Sequence, residues 1–355
     1  MTELFPDSCS ILNFHAMGSE ITVWLETPDS ESATTTLAQV KTLFEDNEQA
    51  LSRFRADSEL SQLNAQSGKW VTVSDLLWDL LTLALEMAAI TDGRFDPTTL
   101  NALEQHGYTV SFEQLVKKSE NNLAQSQNPV LFPGRWADVR LDERRHAVSL
   151  PAGVRVDLGG IAKGYTAQQA VSMLWERGPC LVDAGGDLVA GCAPQDCPGW
   201  PVAISSPWIS ETVAPPDMFT LWIANEALAT SGIDYRNWQR DGRLMHHLID
   251  PTSGAPSETD GLTATILADN AAVAEAWATA AMVAGSSPGM KMLLAAGLSG
   301  LMVTKSGAVL ATPLMQQRLN PLPIQLALSE ETIANYQAEL PRRYSQDHAL
   351  ICKNK

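Results

Sequence analysis

Three short segments, widely separated along the chain, constrain its fold more strongly than any other feature of the sequence. They are residues 157–165 (DLGGIAKGY), 230–232 (TSG) and 246–254 (HHLIDPTSG). Each places glycine or other small residues beside a few polar groups within otherwise apolar sequence. Small residues let the backbone approach a ligand closely while neighbouring side chains do the chemistry. Because only a folded pocket could bring the segments together, we expect one site, as in an enzyme or a tight cofactor-binding protein.

Composition and charge argue against some classes of partner. The chain has 355 residues and a formal net charge of −17, whereas nucleic-acid phosphates are bound by clustered Lys and Arg, so we expect no nucleic-acid partner. No apolar run reaches the roughly 18 residues of a membrane-spanning helix. The first residues lack the basic and apolar regions of a secretory signal, and five Cys do not indicate a disulfide framework. The sequence therefore predicts a cytoplasmic protein without a membrane span.

Hydrophobic periodicity and turn residues predict a mixture of helices and strands. Helices are expected at 31–54, 76–90 (with Ser74 as the N-cap), 160–177, 271–285 and from there to Gly297. Strands are expected at 14–25 (opened by a turn at 16–18), 147–150, 154–158, 181–190 (running into a turn at Gly185-Gly186), 219–224, 262–268, 301–304 and 308–311. Residues 111–137 and 192–217 are expected to be irregular, and a further helix is expected near 330–340. Without a regular βαβ alternation, the pattern favours an α+β fold over a doubly wound sheet, and without G-x-G-x-x-G it argues against a Rossmann domain.

The segment around Asp157 joins a carboxylate to a glycine turn that opens a helix. Backbone N–H groups at such a helix start favour anions, and Lys163 would add positive charge for a phosphate. A tight structural turn with a solvated lysine is an equally simple interpretation. The hydroxyls of Thr230 and Ser231 are placed to donate into a site, although such triplets are also common in turns.

Two further patterns indicate acid–base or metal chemistry. Adjacent side chains of a strand point to opposite faces, so at most one of His246 and His247 faces a site, and His246 is expected to be the exposed one. Glu275 and Thr279 are spaced i, i+4 on an Ala-rich helix and therefore share one face. With a backbone carbonyl they could hold Mg²⁺, which prefers oxygen ligands. The alternative is a surface glutamate and a threonine bonded back into its own helix.

Taken together and in order, nine segments resemble the bacterial FAD:protein FMN transferases, the ApbE-like flavin transferases. They are HAMGS (15–19), SRFR (52–55), SELSQLN (58–64), GRFDPT (93–98), DLGGIAKG (157–164), VDAGGD (182–187), ATSG (229–232), HLIDP (247–251) and AEAWAT (274–279). The resemblance implies an α+β fold of mixed, largely antiparallel sheets flanked by helices, with FAD in a central cleft. It covers residues 14–311, which leaves 1–13 as an N-terminal segment and 312–355 as a C-terminal extension.

The resemblance also implies roles for individual residues. His247 would deprotonate the acceptor hydroxyl, and Asp250 would orient His247 or support the metal. The Mg²⁺ ligands would be Glu275, Thr279 and the carbonyl of Ala162. FAD contacts fall on Met17, Asp96, Asp157, Gly159, Gly160, Lys163, Ala184, Gly185, Gly186, Thr230, Ser231, Gly232 and His247.

The implied reaction moves the FMN half of FAD onto a Thr or Ser hydroxyl of an acceptor protein and releases AMP. The acceptor would carry the motif Asp-x-x-Ser/Thr-Gly-Ala-Thr/Ser. This chain contains a similar run at 250–256, but Pro256 stands where the modified hydroxyl should be, so self-modification is not expected. Glu275 replaces the Asp usual in the family and is one methylene longer. Two alternatives stay open at this point: an FAD pyrophosphatase, and a non-catalytic FAD-binding protein.

Overall fold

A computed structural model describes residues 9–119, 132–207, 217–240 and 243–320. The strands are β1 (Cys9–Ala16), β2 (Ser19–Glu26), β3 (Trp70–Thr72), β4 (Arg140–Asp142), β5 (Ala147–Ser149), β6 (Cys180–Ala184), β7 (Leu188–Ala190), β8 (Trp200–Ser205), β9 (Asp217–Ile223), β10 (Ala227–Gly232), β11 (Asn237–Arg240), β12 (Arg243–His246), β13 (Ile249–Asp250), β14 (Ala255–Pro256), β15 (Gly261–Ala268), β16 (Ser299–Thr304) and β17 (Val309–Ala311). The helices are α1 (Ser30–Leu51), α2 (Glu59–Ala65), α3 (Asp75–Ile90), α4 (Leu100–Gln105), α5 (Phe112–Ser119), α6 (Ala162–Leu174), α7 (Ala271–Ala284), α8 (Ser286–Ala295) and α9 (Pro313–Gln316).

The centre of the fold is an eight-stranded sheet in the order β1-β2-β6-β7-β10-β15-β16-β17. Every neighbouring pair in it is antiparallel. Alternation along its strands separates two apolar faces: Val182 of β6 packs in the cluster with α1 and α6, whereas Leu181 packs with the β8–β9 hairpin. Helices α7 and α8 cover the same face as α6 at the other end of the sheet. The predicted α+β fold of antiparallel sheets flanked by helices is confirmed.

Helix α7 carries two of the predicted site residues and is fixed at both ends. Asn270 caps its first turn, with its side chain accepting from Ala272 N and Val273 N, and Gly285 ends it at a φ of +84°, where glycine is favoured. Its alanines let it approach β10 and β15 closely. A polar side chain on this helix is therefore held inside the protein.

The predicted strand at 154–158 is wrong. Val156 and Leu158 do enter a second core, formed with α2 and α3, but the backbone of the segment bonds to a side chain and a loop rather than to a strand. Asn64 bonds to both Val156 N and Val156 O, at 2.7 and 2.8 Å, and Asp157 N donates to Pro97 O. A side-chain amide thus takes the place of a neighbouring strand.

Two predicted irregular regions contain regular elements. The 192–217 segment includes β8, whose inward residues Trp200, Val202 and Ile204 are buried against the sheet, and the 111–137 segment begins with α5.

The helix expected near 330–340 lies outside the described residues. The division of the chain at residues 14 and 311 stays a prediction, although β1 begins before it, at Cys9. Within the described ranges, no helix combines the length and the apolar character needed to span a bilayer.

Candidate active site

A cleft of about 820 Å³ lies at the helix-covered side of the main sheet. It is lined by the β1–β2 and β6–β7 turns, the end of β10, the first turn of α6 and one face of α7. The predicted residues that line it are Met17, Asp96, Asp157, Gly159, Gly160, Ala162, Lys163, Gly185, Gly186, Thr230, Ser231, Gly232, His247, Glu275 and Thr279. Two predicted residues, Ala184 and Asp250, are not part of the described lining. The fold therefore brings the three starting segments to one place.

The turn that precedes α6 is organised by Asp157. Its Oδ1 accepts a hydrogen bond from Gly159 N at 2.9 Å, and its Oδ2 lies 3.2 Å from Arg53 Nε. The N–H groups of Ala162 and Gly164 also have partners, in Leu158 O and Glu275 Oε2. Several N–H groups that the sequence predicts for anion binding are thus already bonded within the protein.

Lys163, Asp187 and Glu275 form a buried ion cluster, here called the Lys163 cluster. The Nζ of Lys163 lies 2.6 Å from Asp187 Oδ2 and 3.1 Å from Glu275 Oε1. The other oxygen of Glu275 accepts from Gly164 N at 3.0 Å, and the Glu275 side chain is only 3 % exposed. The ammonium for which the sequence predicts a phosphate contact is therefore paired with two carboxylates.

The charges of the Lys163 cluster are strongly coupled. Burial raises the pKa of the Glu275 carboxyl; Lys163 opposes this rise, and the nearby Asp187 carboxylate adds to it. Burial alone would lower the pKa of Lys163, but the two carboxylates outweigh it and raise that pKa above its ordinary value. Lys163 is therefore a permanent cation held between two acidic groups.

The oxygen atoms beside this cluster fit a divalent metal ion. Thr279 lies one turn beyond Glu275 on α7, with its Oγ1 3.1 Å from Ser231 Oγ. Ala162 lines the same cleft, and its carbonyl oxygen accepts from Thr166 Oγ1 at 2.8 Å. Carboxylate, hydroxyl and carbonyl oxygens are the ligands that Mg²⁺ prefers, and the buried Lys163 ammonium indicates that these acidic groups favour positive charge. Groups of three or more His, Cys, Asp or Glu side chains arranged for a metal are absent from the described ranges.

His247 reaches the cleft with one ring nitrogen engaged. Its Nδ1 lies 3.3 Å from the carbonyl oxygen of Arg236; because a carbonyl only accepts, Nδ1 carries the proton and Nε2 is left as the basic nitrogen. Burial, and then the positive charge of Arg236, lower the pKa of His247 to about 3. Within the described part of the chain, Nε2 has no hydrogen-bond partner. His247 is therefore a neutral base oriented by the backbone.

The expectation that His246 is the exposed histidine of the pair is wrong. His246 is 8 % exposed, and its Nε2 donates to Ser257 O at 3.1 Å. His247 lies one residue beyond the end of β12, and it is this histidine that lines the cleft. Asp250 instead organises its own turn, accepting from Thr252 N at 2.9 Å and Ser253 Oγ at 3.0 Å, and its predicted role toward His247 stays a prediction.

Met17 and Asp96 sit at tight turns on the cleft wall. Met17 has a φ of +53°, and its N–H donates to Glu48 Oε2 at 2.7 Å. Asp96 accepts two bonds from Thr98, at 2.6 and 2.7 Å, while burial raises the pKa of its carboxyl. Both residues shape the wall through contacts within the protein.

Arg53, Arg236 and Asp187 are among the cleft residues that the sequence did not indicate as site residues. The Arg53 side chain is 5 % exposed, and its guanidinium lies 4.1 Å from the Phe54 ring centroid and 4.6 Å from that of Tyr108. Its Nη2 is buried and makes no hydrogen bond to any described residue. Arg53 and Asp187 stand inside recognised segments, SRFR and VDAGGD, which could have drawn notice to them, whereas Arg236 belongs to no recognised pattern.

Replacing Gly164 with alanine is expected to lower the free energy of unfolding by about 1–3 kcal/mol, as overpacking does. A Cβ there would lie 2.5 Å from Glu275 Oε2 and 2.9 Å from Ala271 Cβ. The sign is diagnostic, because Gly→Ala within a helix ordinarily stabilises by about 1 kcal/mol. Urea unfolding measures the change. Gly160→Ala, where the new Cβ meets only Phe95 Cε2 at 3.5 Å, is the control and should change little; equal stability of the two variants would contradict the close packing.

Comparisons with known proteins agree on one family. The model of the ApbE family matches residues 17–302. An FAD:protein FMN transferase of Treponema pallidum is 32% identical over 265 residues, covering 70% of this chain and 71% of that protein. One of Escherichia coli K12 is 28% identical over 274 residues, or 76% of each.

Solved structures agree with this result. The ApbE protein of Thermotoga maritima superposes with a TM-score of 0.77 at 25% identity, covering 87% of this chain and 99% of that one. The flavin transferase ApbE of Vibrio cholerae shares the fold, with a TM-score of 0.72 at 22% identity over 88% of this chain and 100% of that one. With the family model matching most of its length, the chain belongs to the ApbE family.

Proposed function

We propose that this protein transfers FMN from FAD to a Thr or Ser hydroxyl of an acceptor protein, with Mg²⁺, and releases AMP. The observation that carries the proposal is that His247, with a free basic nitrogen, lines the same cleft as Glu275 and Thr279. The curated relatives are FAD:protein FMN transferases. The cleft volume of about 820 Å³ falls within the range of small-molecule and cofactor sites.

The protein's own part in the reaction centres on His247. Its Nε2 would accept the proton of the acceptor hydroxyl while Arg236 O keeps the ring in the Nδ1–H tautomer. The hydroxyl oxygen would form a bond to the FMN phosphorus, and the bond from that phosphorus to the oxygen bridging to AMP would break. AMP then leaves with the bridging oxygen, and Nε2, whose pKa is lowered, passes the hydroxyl proton on to solvent.

The metal would be held by Glu275, Thr279 and the Ala162 carbonyl. When bound, it would supply positive charge to the pyrophosphate, which is the usual requirement for cleaving such a linkage. The cationic side chains of Arg53 and Arg236 also line the cleft and would favour an anionic ligand there. The acceptor would present the motif Asp-x-x-Ser/Thr-Gly-Ala-Thr/Ser at the cleft mouth.

The test is to incubate the purified protein with FAD, MgCl₂ and a peptide that bears the acceptor motif. A fluorescent peptide adduct and one AMP per adduct are the expected products, and EDTA should abolish both. A peptide whose final Thr/Ser is replaced by Ala is the matched control. Free FMN and AMP forming without any peptide would point to a pyrophosphatase, and tight FAD binding without turnover to a flavin-binding protein; either outcome contradicts the proposal.

The pH dependence of transfer should lack the acidic limb that an ordinary histidine base produces. A general base works when neutral, and the pKa of His247 is lowered to about 3, so lowering the pH from 8 to 6 should not protonate it. Mg²⁺ must be saturating, because it competes with protons for Glu275, whose pKa is raised. Under that condition we expect kcat/KM for FAD, which reports the free enzyme, to stay nearly constant over that range. A stopped assay across the range checks this; a fall centred near the ordinary histidine pKa of about 6.5 would contradict the lowered value.

A further inference from the structure

We propose that Asp187 is a positioning residue: it holds the Lys163 ammonium and so leaves Glu275 available to a divalent cation. This inference rests on the proposed metal site, and it assigns Lys163 and Asp187 to the control of that site rather than to contacts with phosphate. It starts from an asymmetry within the Lys163 cluster. The ammonium lies 2.6 Å from Asp187 but 3.1 Å from Glu275.

Asp187 is fixed in place by the β6–β7 turn. Its carbonyl accepts from Ala184 N at 2.8 Å, and the turn passes through Gly185 and Gly186 at φ values of +70° and +96°. The Asp187 side chain is 10 % exposed and lines the cleft. Its carboxylate is therefore a rigid acceptor for the ammonium. It belongs to the β6–β7 turn, whereas Lys163 belongs to α6 and Glu275 to α7.

The net charge of the Lys163 cluster explains how Asp187 would favour cation binding. A divalent ion competes with protons for Glu275, whose pKa is raised by burial and by Asp187. With both carboxyls ionised, one ammonium between two carboxylates leaves the Lys163 cluster with a net negative charge that attracts the ion. Without the Asp187 charge, Lys163 would have Glu275 as its remaining carboxylate partner in the cluster and would neutralise it. In a buried setting, charges a few ångströms apart interact strongly. Loss of the Asp187 charge would therefore weaken the attraction between the cluster and an incoming cation. Glu275 keeps unused lone pairs, because a carboxylate has about four acceptor positions, whereas Lys163 and Gly164 N use one on each oxygen.

The test measures Mn²⁺ binding by electron paramagnetic resonance on the full chain, without FAD and therefore without turnover. We expect Asp187→Asn to weaken Mn²⁺ binding at least tenfold. Asp183→Asn is the matched control: it removes a carboxylate from the same hairpin, one that accepts from Gly186 N at 2.7 Å, and it should bind Mn²⁺ as the wild type does. Equal binding by wild type and Asp187→Asn would overturn the inference.

A double-variant comparison separates positioning from direct ligation or loss of folding. If Asp187 acts through Lys163, adding Asp187→Asn to Lys163→Met should weaken Mn²⁺ binding far less than it does in the wild type. A loss of the same size in both backgrounds would make Asp187 a direct ligand and overturn its positioning role. If Asp187→Asn alone fails to fold, Lys163→Met is compared with the double variant: equal Mn²⁺ binding by the two supports positioning, and a tenfold loss in the double variant makes Asp187 a ligand and overturns it. Wild-type protein that binds no Mn²⁺ would instead remove the proposed metal dependence itself, which is a distinguishable failure.

Discussion

Replacing His247 with alanine is expected to lower kcat for FMN transfer by about 10²–10⁴-fold, the usual contribution of a general base. The ring offers an unprotonated Nε2 to the cleft because its Nδ1 is committed to Arg236 O. No other histidine among the described residues lines the cleft except His15, which is paired with Glu113 at 3.0 Å on an exposed surface. Affinity for FAD should change far less than kcat, because the proton is taken from the acceptor rather than from FAD.

The measurement pairs the rate of peptide flavinylation with FAD binding by calorimetry. His246→Gln is the matched control, since the neighbouring ring is buried and the amide of Gln can still donate to Ser257 O. It should retain most of the activity. A His247→Ala variant with wild-type kcat would remove the base from the mechanism, and one with equal losses in binding and rate would make His247 a contact for FAD instead.

Local signals in the sequence account for most of the fold. Ser74 was predicted to cap a helix at its Ser-initiated apolar run, and its Oγ accepts from Leu77 N at the start of α3. Such features depend on a few neighbouring residues, so a single sequence contains them. The strand predicted at 154–158 failed because its backbone partners come from Asn64 and Pro97, and apolar alternation carries no information about which groups satisfy a backbone.

The sequence likewise predicts some features of the candidate site and not others. The i, i+4 spacing placed Glu275 and Thr279 on one helical face, and both reach the cleft. Resemblance to the family indicated His247 as the histidine of the site, and His247 lines the cleft. The expectation that His246 is the exposed one was wrong, because the burial of each ring depends on how the end of β12 packs. Two contacts were not predicted. Lys163 of α6 pairs with Asp187 of the β6–β7 turn, and the buried Arg53 stacks on Phe54 and Tyr108. Contacts of this kind exist only after the segments have packed.

Replacing Glu275 with glutamine is expected to lower Mg²⁺-dependent transfer by about 10³-fold, because charge stabilisation by a catalytic metal contributes several kcal/mol. The change removes the carboxylate that shares the α7 face with Thr279, and it keeps the shape of the side chain. Folding should persist, since Lys163 retains Asp187 at 2.6 Å, although an amide facing the ammonium is expected to cost about 1–3 kcal/mol. Transfer rates over a range of Mg²⁺ concentrations, with thermal unfolding alongside, provide the measurement.

Glu275→Asp is the informative counterpart because it keeps the negative charge and shortens the side chain by one methylene. If charge at this position is what matters, the aspartate variant should retain Mg²⁺-dependent transfer, with a changed Mg²⁺ requirement, while the glutamine variant loses it. Loss of activity in both variants would mean that the length of Glu275, set against Gly164 N and Lys163 Nζ at 3.0 and 3.1 Å, is as essential as its charge. Full activity in Glu275→Gln would contradict the metal site, because the remaining neutral donors, Thr279 and Ala162, offer no charge to hold a divalent ion.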